Sequence, residues 1–233
     1  MINNVILIMQ IQIIQNLLEK LKKTKRSLLN IKKIDKIFVS TDSNRMISIA
    51  KKKKVQFIRR PKKLCEDKSN ELLSWKHAIK YLKDKGEKFD VFLSLPATSP
   101  LRKKKDVINM IKIFDKKNAD LVVSVTKTNR IPKYNMVKGD ETGRTKMAVE
   151  KKNFKLKKNE KLFDMTTVGY ISNPSYILKV KDIFFGKIYS VEIPRSRSLD
   201  IDDKFDLNMG KMLIKKWKKI LLSLEVLGLL DRN

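Results

Sequence analysis

Two acidic side chains near the C-terminal end of the sequence, Asp200 and Asp202, are separated by one residue. In an extended backbone such residues point to the same side, and two neighbouring carboxylates form a site for a divalent cation. Helix capping is the alternative, because Asp202 or Asp203 suits the N-cap of the helical pattern from about Lys204 to Leu222. Asp206 is expected to favour the dipole of that helix as a first-turn residue. The residues alone leave both interpretations open.

A second group with chemical potential is the loop that follows the most apolar predicted strand, Val91–Leu95. Thr98 and Ser99 lie there between Pro96 and Arg102, where short hydroxyl side chains in a proline-stiffened turn suit the rim of a ligand site. An ordinary turn with a capping serine is the competing interpretation.

The elements that must position these residues follow an alternating pattern. Short apolar runs alternate with helical patterns along most of the chain, which is typical of βαβ units around a mostly parallel sheet. The predicted strands are Lys36–Ser40, Val55–Ile58, Val91–Leu95, Ala119–Val125, Thr167–Ser172 and Tyr189–Ile193, and Met1–Gln15 can supply another. The predicted helices are Asn44–Lys53, Ser69–Lys85, Lys104–Lys117 and about Lys204–Leu222.

The order of these elements predicts an α/β fold in one domain over residues 1–233, with a hairpin excursion over about 127–165. Ligands of open α/β sheets bind outside the carboxyl ends of the strands. This rule points to Thr41–Ser43, to Pro96–Arg102 and to the turn after Ile193.

The formal charge of +29 comes from 54 basic residues, of which only ten are arginine. Because the lysines are spread along the chain and aromatic residues make up 7%, no specific nucleic-acid partner is expected. The single cysteine, Cys65, favours a reducing cytoplasm and is interpreted as an ordinary structural thiol, and the lone His77 as a structural side chain. Met1–Gln15 lacks a basic region and a cleavage site and is too short for a span, so neither a signal peptide nor a membrane partner is expected.

Five segments together resemble the bacterial CMP-sialic acid synthetases, the acylneuraminate cytidylyltransferase family. FLSLPATSPLR (Phe92–Arg102) is similar to the family's LQPTSPLR, and RSLDIDDKFDLNMGKML (Arg197–Leu213) to its S-I-D-I-D-T motif. The other three are DKIFVSTDS (Asp35–Ser43), RRPKKLCEDKS (Arg59–Ser69) and ADLVVSVT (Ala119–Thr126). They occur in the family's order and at fitting spacings.

The resemblance implies a Rossmann-like nucleotide-diphospho-sugar transferase fold, usually a homodimer, that transfers CMP from CTP to a nine-carbon acidic sugar and releases pyrophosphate. It implies that Mg²⁺ is held at Asp200 and Asp202. It places Arg60, Ser69, Thr98, Ser99 and Arg102 beside the nucleotide, and Lys157 and Lys158 where the family carries a basic residue that meets the sugar.

Three departures from the family pattern affect the site. Pro96 stands where the family often has glutamine, and Asp164–Tyr170 replaces the family's N-G-A-x-Y, which is expected to shift sugar specificity toward a related nonulosonate. Residues 1–30 are atypical, because no glycine precedes Gly86 and nothing resembles the family's glycine-rich phosphate loop. A catalytically impaired or non-catalytic family member is therefore the alternative.

Overall fold

The structure is a computed structural model that describes residues 5–10, 34–66, 70–150, 156 and 160–214. Seven strands form one sheet in the order β3-β2-β1-β4-β8-β5-β9, and a separate hairpin joins β6 to β7. The strands are β1 (Val5–Gln10), β2 (Ile34–Thr41), β3 (Gln56–Arg59), β4 (Val91–Pro96), β5 (Leu121–Lys127), β6 (Val137–Gly139), β7 (Thr145–Met147), β8 (Phe163–Ser172) and β9 (Ile188–Glu192). Every pair in the large sheet is parallel except those of β8, which confirms the predicted mostly parallel α/β fold.

Strand β1 lies in the interior of this sheet, paired in parallel with β2 on one side and with β4 on the other. Its residues Val5 to Ile8 are all buried, as expected for an apolar strand of a parallel sheet covered on both faces. The N-terminal apolar segment therefore supplies a strand, as predicted.

Helices cover both faces of the sheet. They are α1 (Asn44–Lys52), α2 (Glu71–Asp84), α3 (Lys104–Lys117), α4 (Pro132–Asn135) and α5 (Pro174–Lys179), and residues 204–214 are also helical. Val5 and Leu7 pack with α1 and α3 in one apolar cluster, whereas Ile6 and Ile8 pack with α2 and α5 in another. Because successive side chains of a strand point to opposite faces, β1 contributes to both clusters. None of these helices is long and apolar enough to cross a membrane.

Helix α3 has the predicted bounds, and the other predicted elements between residues 34 and 193 lie within a few residues of those observed. The predicted hairpin excursion contains β6 and β7, which pair in antiparallel fashion. The predicted C-terminal helix is present from residue 204 to residue 214, and its remaining predicted turns lie outside the described residues.

Strand β8 contains a bulge that the sequence pattern did not predict. Val123 of β5 pairs with Tyr170, but the next residue, Ser124, pairs with Thr166, so residues 167–169 have no partner on β5. The Ser124 hydroxyl lies 2.8 Å from the carbonyl oxygen of Thr166 and accepts a hydrogen bond from the backbone N–H of Gly169 at 3.0 Å. Bulges of this kind redirect backbone and side chains at the ends of sheets. This one directs Thr167 toward the loop after β4, where its hydroxyl meets that of Ser99.

Gly169 is expected not to accept even a methyl group. A Cβ atom there would lie 2.9 Å from Leu95 Cδ2 and 3.2 Å from Met110 Sδ, and both side chains are fully buried. Gly169→Ala should therefore lower the free energy of unfolding by about 1–3 kcal/mol, measured by urea denaturation. Gly139→Ala is the control, since its nearest atom, Arg144 O, is 3.7 Å away. Equal stability of the two variants would contradict this packing argument.

Candidate active site

The carboxyl ends of the parallel strands bring together segments that are far apart in the sequence. Arg60 directly follows β3, the Thr98 loop follows β4, and Asp200 lies in the segment after β9. The last two segments are joined directly, because the backbone N–H of Ile201 donates to the carbonyl oxygen of Thr98 at 3.0 Å. The structure thus unites two of the three places to which the strand-end rule pointed.

Capping of the helix at residues 204–214 involves Asp203 and Asp206. The Asp203 carboxylate accepts from the backbone N–H of Asp206 at 2.9 Å, and the Asp206 carboxylate accepts from the N–H groups of Asp202 and Asp203 at 3.2 and 3.4 Å. Asp206 thus serves the first helical turn, as expected. The capping hydrogen bonds do not use the carboxylates of Asp200 and Asp202.

Asp200 and Asp202 form an acidic pair whose negative charges are not fully compensated within the described residues. Asp200 Oδ1 is buried and has no hydrogen-bond partner in the described part of the chain. Partial burial raises the pKa of the Asp202 carboxyl, and the negative charges of Asp200, Asp206 and Asp203 raise it further. A cation between these carboxylates would offset both effects.

The protein supplies few metal-ligating side chains around Asp200 and Asp202. Within the described ranges, no group of three or more His, Cys, Asp or Glu side chains is arranged to hold a metal ion. Two carboxylates can still hold Mg²⁺, since this ion retains water molecules and is commonly completed by phosphate oxygens. The orphaned Asp200 oxygen fits such a role.

Arg60 is a buried cation with few partners. Its side chain is only 4% exposed, and its Nε and Nη2 atoms have no hydrogen-bond partner within the described residues. The backbone is fixed, because the N–H of Arg60 donates to Thr41 O at 3.0 Å. Guanidinium nitrogens that lack partners in such a position cost free energy unless an anionic or carbonyl group meets them.

Cys65 and His77 lie beside this arginine. Partial burial raises the pKa of the Cys65 thiol, while Arg60 lowers it and Asp42 raises it through charge and hydrogen bonding. Burial lowers the pKa of the His77 imidazole, and the Arg60 charge acts in the same direction. Both groups are therefore biased toward their neutral forms.

Glu71 and Tyr170 were missed as site residues by sequence reasoning. Burial raises the pKa of Glu71 to about 7; a hydrogen bond with Trp75 opposes this, Asp200 raises it further and Arg60 lowers it. Burial also raises the pKa of the Tyr170 hydroxyl, together with the charges of Glu71 and Asp200. The charges of both Arg60 and Asp200 thus act on Glu71. A glutamate in a first helical turn is normally explained by the helix dipole, so the sequence held no signal for this position.

Arg102 joins the loop after β4 to the β8 bulge. Its Nη2 donates to Pro96 O at 2.7 Å and to Thr167 O at 3.1 Å, and its Nε donates to Val168 O. Burial lowers the pKa of its guanidinium to about 10, although Asp106 and Asp200 oppose the shift. These nitrogens therefore hold backbone together, a contribution that the sequence did not indicate.

The hydroxyls of Thr98 and Ser99 form a cluster with Thr167. Ser99 Oγ lies 2.7 Å from Thr167 Oγ1, and Thr98 Oγ1 lies 3.5 Å from the same atom. Ser99 is buried, whereas Thr98 and Thr167 are half-buried, so the cluster forms a polar floor under the Thr98 loop. Ser69, Lys157 and Lys158, the other predicted site residues, lie outside the described residues.

The raised pKa of Glu71 has a consequence for stability. An acid whose folded pKa lies above its unfolded value of 4.5 destabilises the folded state as pH rises through that window, because the folded chain holds the proton longer. Between pH 5 and pH 8 the unsubstituted chain should lose about 2 kcal/mol of unfolding free energy relative to Glu71→Gln. Urea denaturation at both pH values measures this difference. A pH-independent difference would contradict the raised pKa.

Relatives at modest identity include two cytidylyltransferases. The N-acylneuraminate cytidylyltransferase of Escherichia coli O18:K1:H7 is 27% identical, over 78% of this chain and 42% of its own length. That of Streptococcus agalactiae serotype V is 26% identical, over 73% and 40%. The post-translational flagellin modification protein B of Campylobacter coli is 28% identical over 80% of each chain. The chain thus spans about two fifths of the length of the two cytidylyltransferases that it matches.

Solved structures share the fold at low sequence identity. CMP:2-keto-3-deoxy-manno-octonic acid synthetase, solved with CTP, superimposes with a TM-score of 0.63 at 9% identity, over 92% of this chain and 99% of that one. The 4-diphosphocytidyl-2C-methyl-D-erythritol synthase of Anaerococcus prevotii gives 0.62 at 13% identity, over 91% and 96%.

A family model described as cytidylyltransferase matches residues 8–211. The match begins inside β1 and ends within the helix at residues 204–214, so it includes the Arg60, Thr98 and Asp200 positions. The chain with this fold and this strand-end site belongs to the cytidylyltransferase family.

Proposed function

We propose that the chain transfers CMP from CTP to a nine-carbon acidic sugar, of the sialic, legionaminic or a similar nonulosonate type, and releases pyrophosphate. The observation that carries this proposal is a set of buried atoms without hydrogen-bond partners within the described residues, namely Arg60 Nε and Nη2 and Asp200 Oδ1. One group demands an anion or carbonyl partner and the other demands a cation. A nucleoside triphosphate with its metal ion would supply both partners, an anion for Arg60 and a cation for Asp200.

The chemistry requires attack of a sugar hydroxyl oxygen on the α-phosphorus of CTP, while the bond from that phosphorus to pyrophosphate breaks. Catalysis of such transfers consists mostly of positioning and of neutralising charge on the phosphate oxygens. When bound, Mg²⁺ would supply that neutralisation, and Asp200 and Asp202 are the residues proposed to hold it.

The remaining roles divide between the two sides of the site. Arg60 would meet the nucleotide, and Ser69 is proposed to assist it. The half-buried Thr98 hydroxyl would face the ligand, the buried Ser99 hydroxyl would support the loop through Thr167, and Arg102 would keep that loop in place. Lys157 and Lys158 remain proposed partners for the acidic group of the sugar. We further propose that the protein acts as a homodimer in the cytoplasm.

Names of relatives support the sugar class. Two are N-acylneuraminate cytidylyltransferases, and a third modifies flagellin.

Pyrophosphate release from CTP should be measured with sialic, legionaminic and pseudaminic acid in parallel. Absence of release with all three acids, from a folded chain that binds CTP, would favour the second candidate.

That second candidate is a family member that binds nucleotide without turnover. The specific observation in its favour is the lack of any glycine before Gly86, because glycines let backbone N–H groups approach phosphates closely. Pyrophosphate release separates the two candidates, since both bind the nucleotide and only one turns it over, and a thermal shift by CTP verifies the binding that both require.

The acidic pair should be required for turnover. Asp200→Asn and Asp202→Asn should each lower the rate of pyrophosphate release by about 100-fold, because the metal ion contributes several kcal/mol of charge stabilisation. Asp203→Asn is the matched control, since asparagine also caps helices and this carboxylate serves the cap. Full activity in Asp202→Asn would remove the metal assignment.

Arg60 should show a trade-off between stability and binding. Arg60→Met removes a buried charge of which two nitrogens lack hydrogen-bond partners, so the melting temperature without ligand should stay equal or rise. The shift of melting temperature by CTP should at the same time largely disappear. Arg59→Met is the control, because Arg59 is exposed and binds Asn44 Oδ1 at 2.8 Å. A CTP shift that survives in Arg60→Met would contradict the role of Arg60.

A further inference from the structure

A buried ion pair lies outside the residues proposed to contact the ligand. Arg197 donates to both carboxylate oxygens of Asp106, from Nε to Oδ2 at 3.0 Å and from Nη2 to Oδ1 at 2.6 Å. Arg197 is 8% exposed and Asp106 is 2% exposed. Two parallel hydrogen bonds between planar groups fix orientation as well as distance.

Asp106 also belongs to the start of α3. Its Oδ2 accepts from the backbone N–H of Lys103 at 2.9 Å, which closes the capping box of this helix. Lys103 directly follows Arg102, the residue that fixes the loop after β4. One carboxylate therefore joins the end of that loop to Arg197.

Arg197 in turn belongs to the segment that carries Asp200. This segment is fixed on one side by the hydrogen bond from Ile193 N–H to Val125 O at 2.7 Å and on the other by that from Ile201 N–H to Thr98 O at 3.0 Å. Arg197 ends the short turn between these points, three residues before Asp200. The side chain of Arg197 adds a third attachment to a loop that is also held by these two backbone hydrogen bonds.

We propose that Asp106 and Arg197 are positioning residues that hold Asp200 in place for the metal ion, an inference that rests on the proposed function. A buried ion pair contributes little net stability, because desolvation offsets the attraction. Its contribution here is geometric: it ties the Asp200 segment to the start of α3, and the same helix follows the loop that carries Thr98 and Ser99. The loop that carries Thr98 and Ser99 and the segment that carries Asp200 are therefore both positioned by the start of α3.

The test uses Arg197→Met and Arg197→Lys in the full chain, with Arg195→Met as the matched control. Arg195 lies in the same turn but is exposed, so its replacement should change nothing at the site. Lysine keeps the charge of Arg197 and loses the two-bond fork, so its effect should be intermediate.

Two measurements separate positioning from general stabilisation. Hydrogen exchange of the backbone at residues 198–202 should become faster in Arg197→Met while exchange in β1 and β4 stays unchanged. Mn²⁺ titration, followed by water proton relaxation, should give a dissociation constant about tenfold higher, as is typical when the support of a metal ligand is removed. The double variant Asp106→Asn/Arg197→Gln provides a neutral pair if the single variants do not fold.

Unchanged exchange at residues 198–202 would overturn the proposal, and so would faster exchange with unchanged Mn²⁺ affinity. Pyrophosphate release by the unsubstituted chain tests the proposed function separately. If release is absent while the exchange and Mn²⁺ effects are present, the proposed function fails and the positioning role stands.

Discussion

The register of β8 against its neighbours is the constraint on which the site depends. Ser124 stabilises the bulge at residues 167–169, and this bulge offers the Thr167 and Val168 carbonyls to Arg102. Arg102 then fixes the loop after β4, whose Thr98 carbonyl binds Ile201 beside Asp200. Each contact sets the position of the next. A hydroxyl in the middle of a buried strand thus determines where a carboxylate lies at the edge of the sheet.

This scaffold holds charges that are not balanced within the described residues. Arg60 keeps two nitrogens without partners, Asp200 keeps one oxygen without a partner, and burial raises the pKa of Glu71 to about 7. A protein optimised only for stability would pair or expose such groups. Under the proposed function, a bound ligand would supply the partners that these atoms of Arg60 and Asp200 lack, so part of the binding free energy would come from relief of an existing cost.

The fold was predictable from the sequence because its signals are local. Alternating apolar runs and helical patterns gave the bounds of α3, and the apolar N-terminal run gave β1. The site was predictable only in part, because its decisive features are tertiary. The cap at Asp203 rather than Asp202, the carbonyl contacts of Arg102 and the half-buried position of Glu71 all depend on which backbone comes close in space. The bulge at residues 167–169 depends on one hydroxyl of a neighbouring strand, and no periodicity records it.

The absent glycines and the abundant lysines have opposite consequences for phosphate binding. Residues 1–85 contain no glycine, the residue type that most readily lets backbone N–H groups approach a phosphate closely. A net charge of +29 attracts anions over long range, but that attraction is screened by salt and selects no geometry. Within the described residues, the positioned charges of the proposed site are Arg60 and the carboxylates of Asp200 and Asp202, which would hold the proposed cation. Nucleotide affinity should therefore depend more strongly on these three side chains than in a relative with a phosphate loop, and the anchoring of Asp200 by Arg197 gains importance for the same reason.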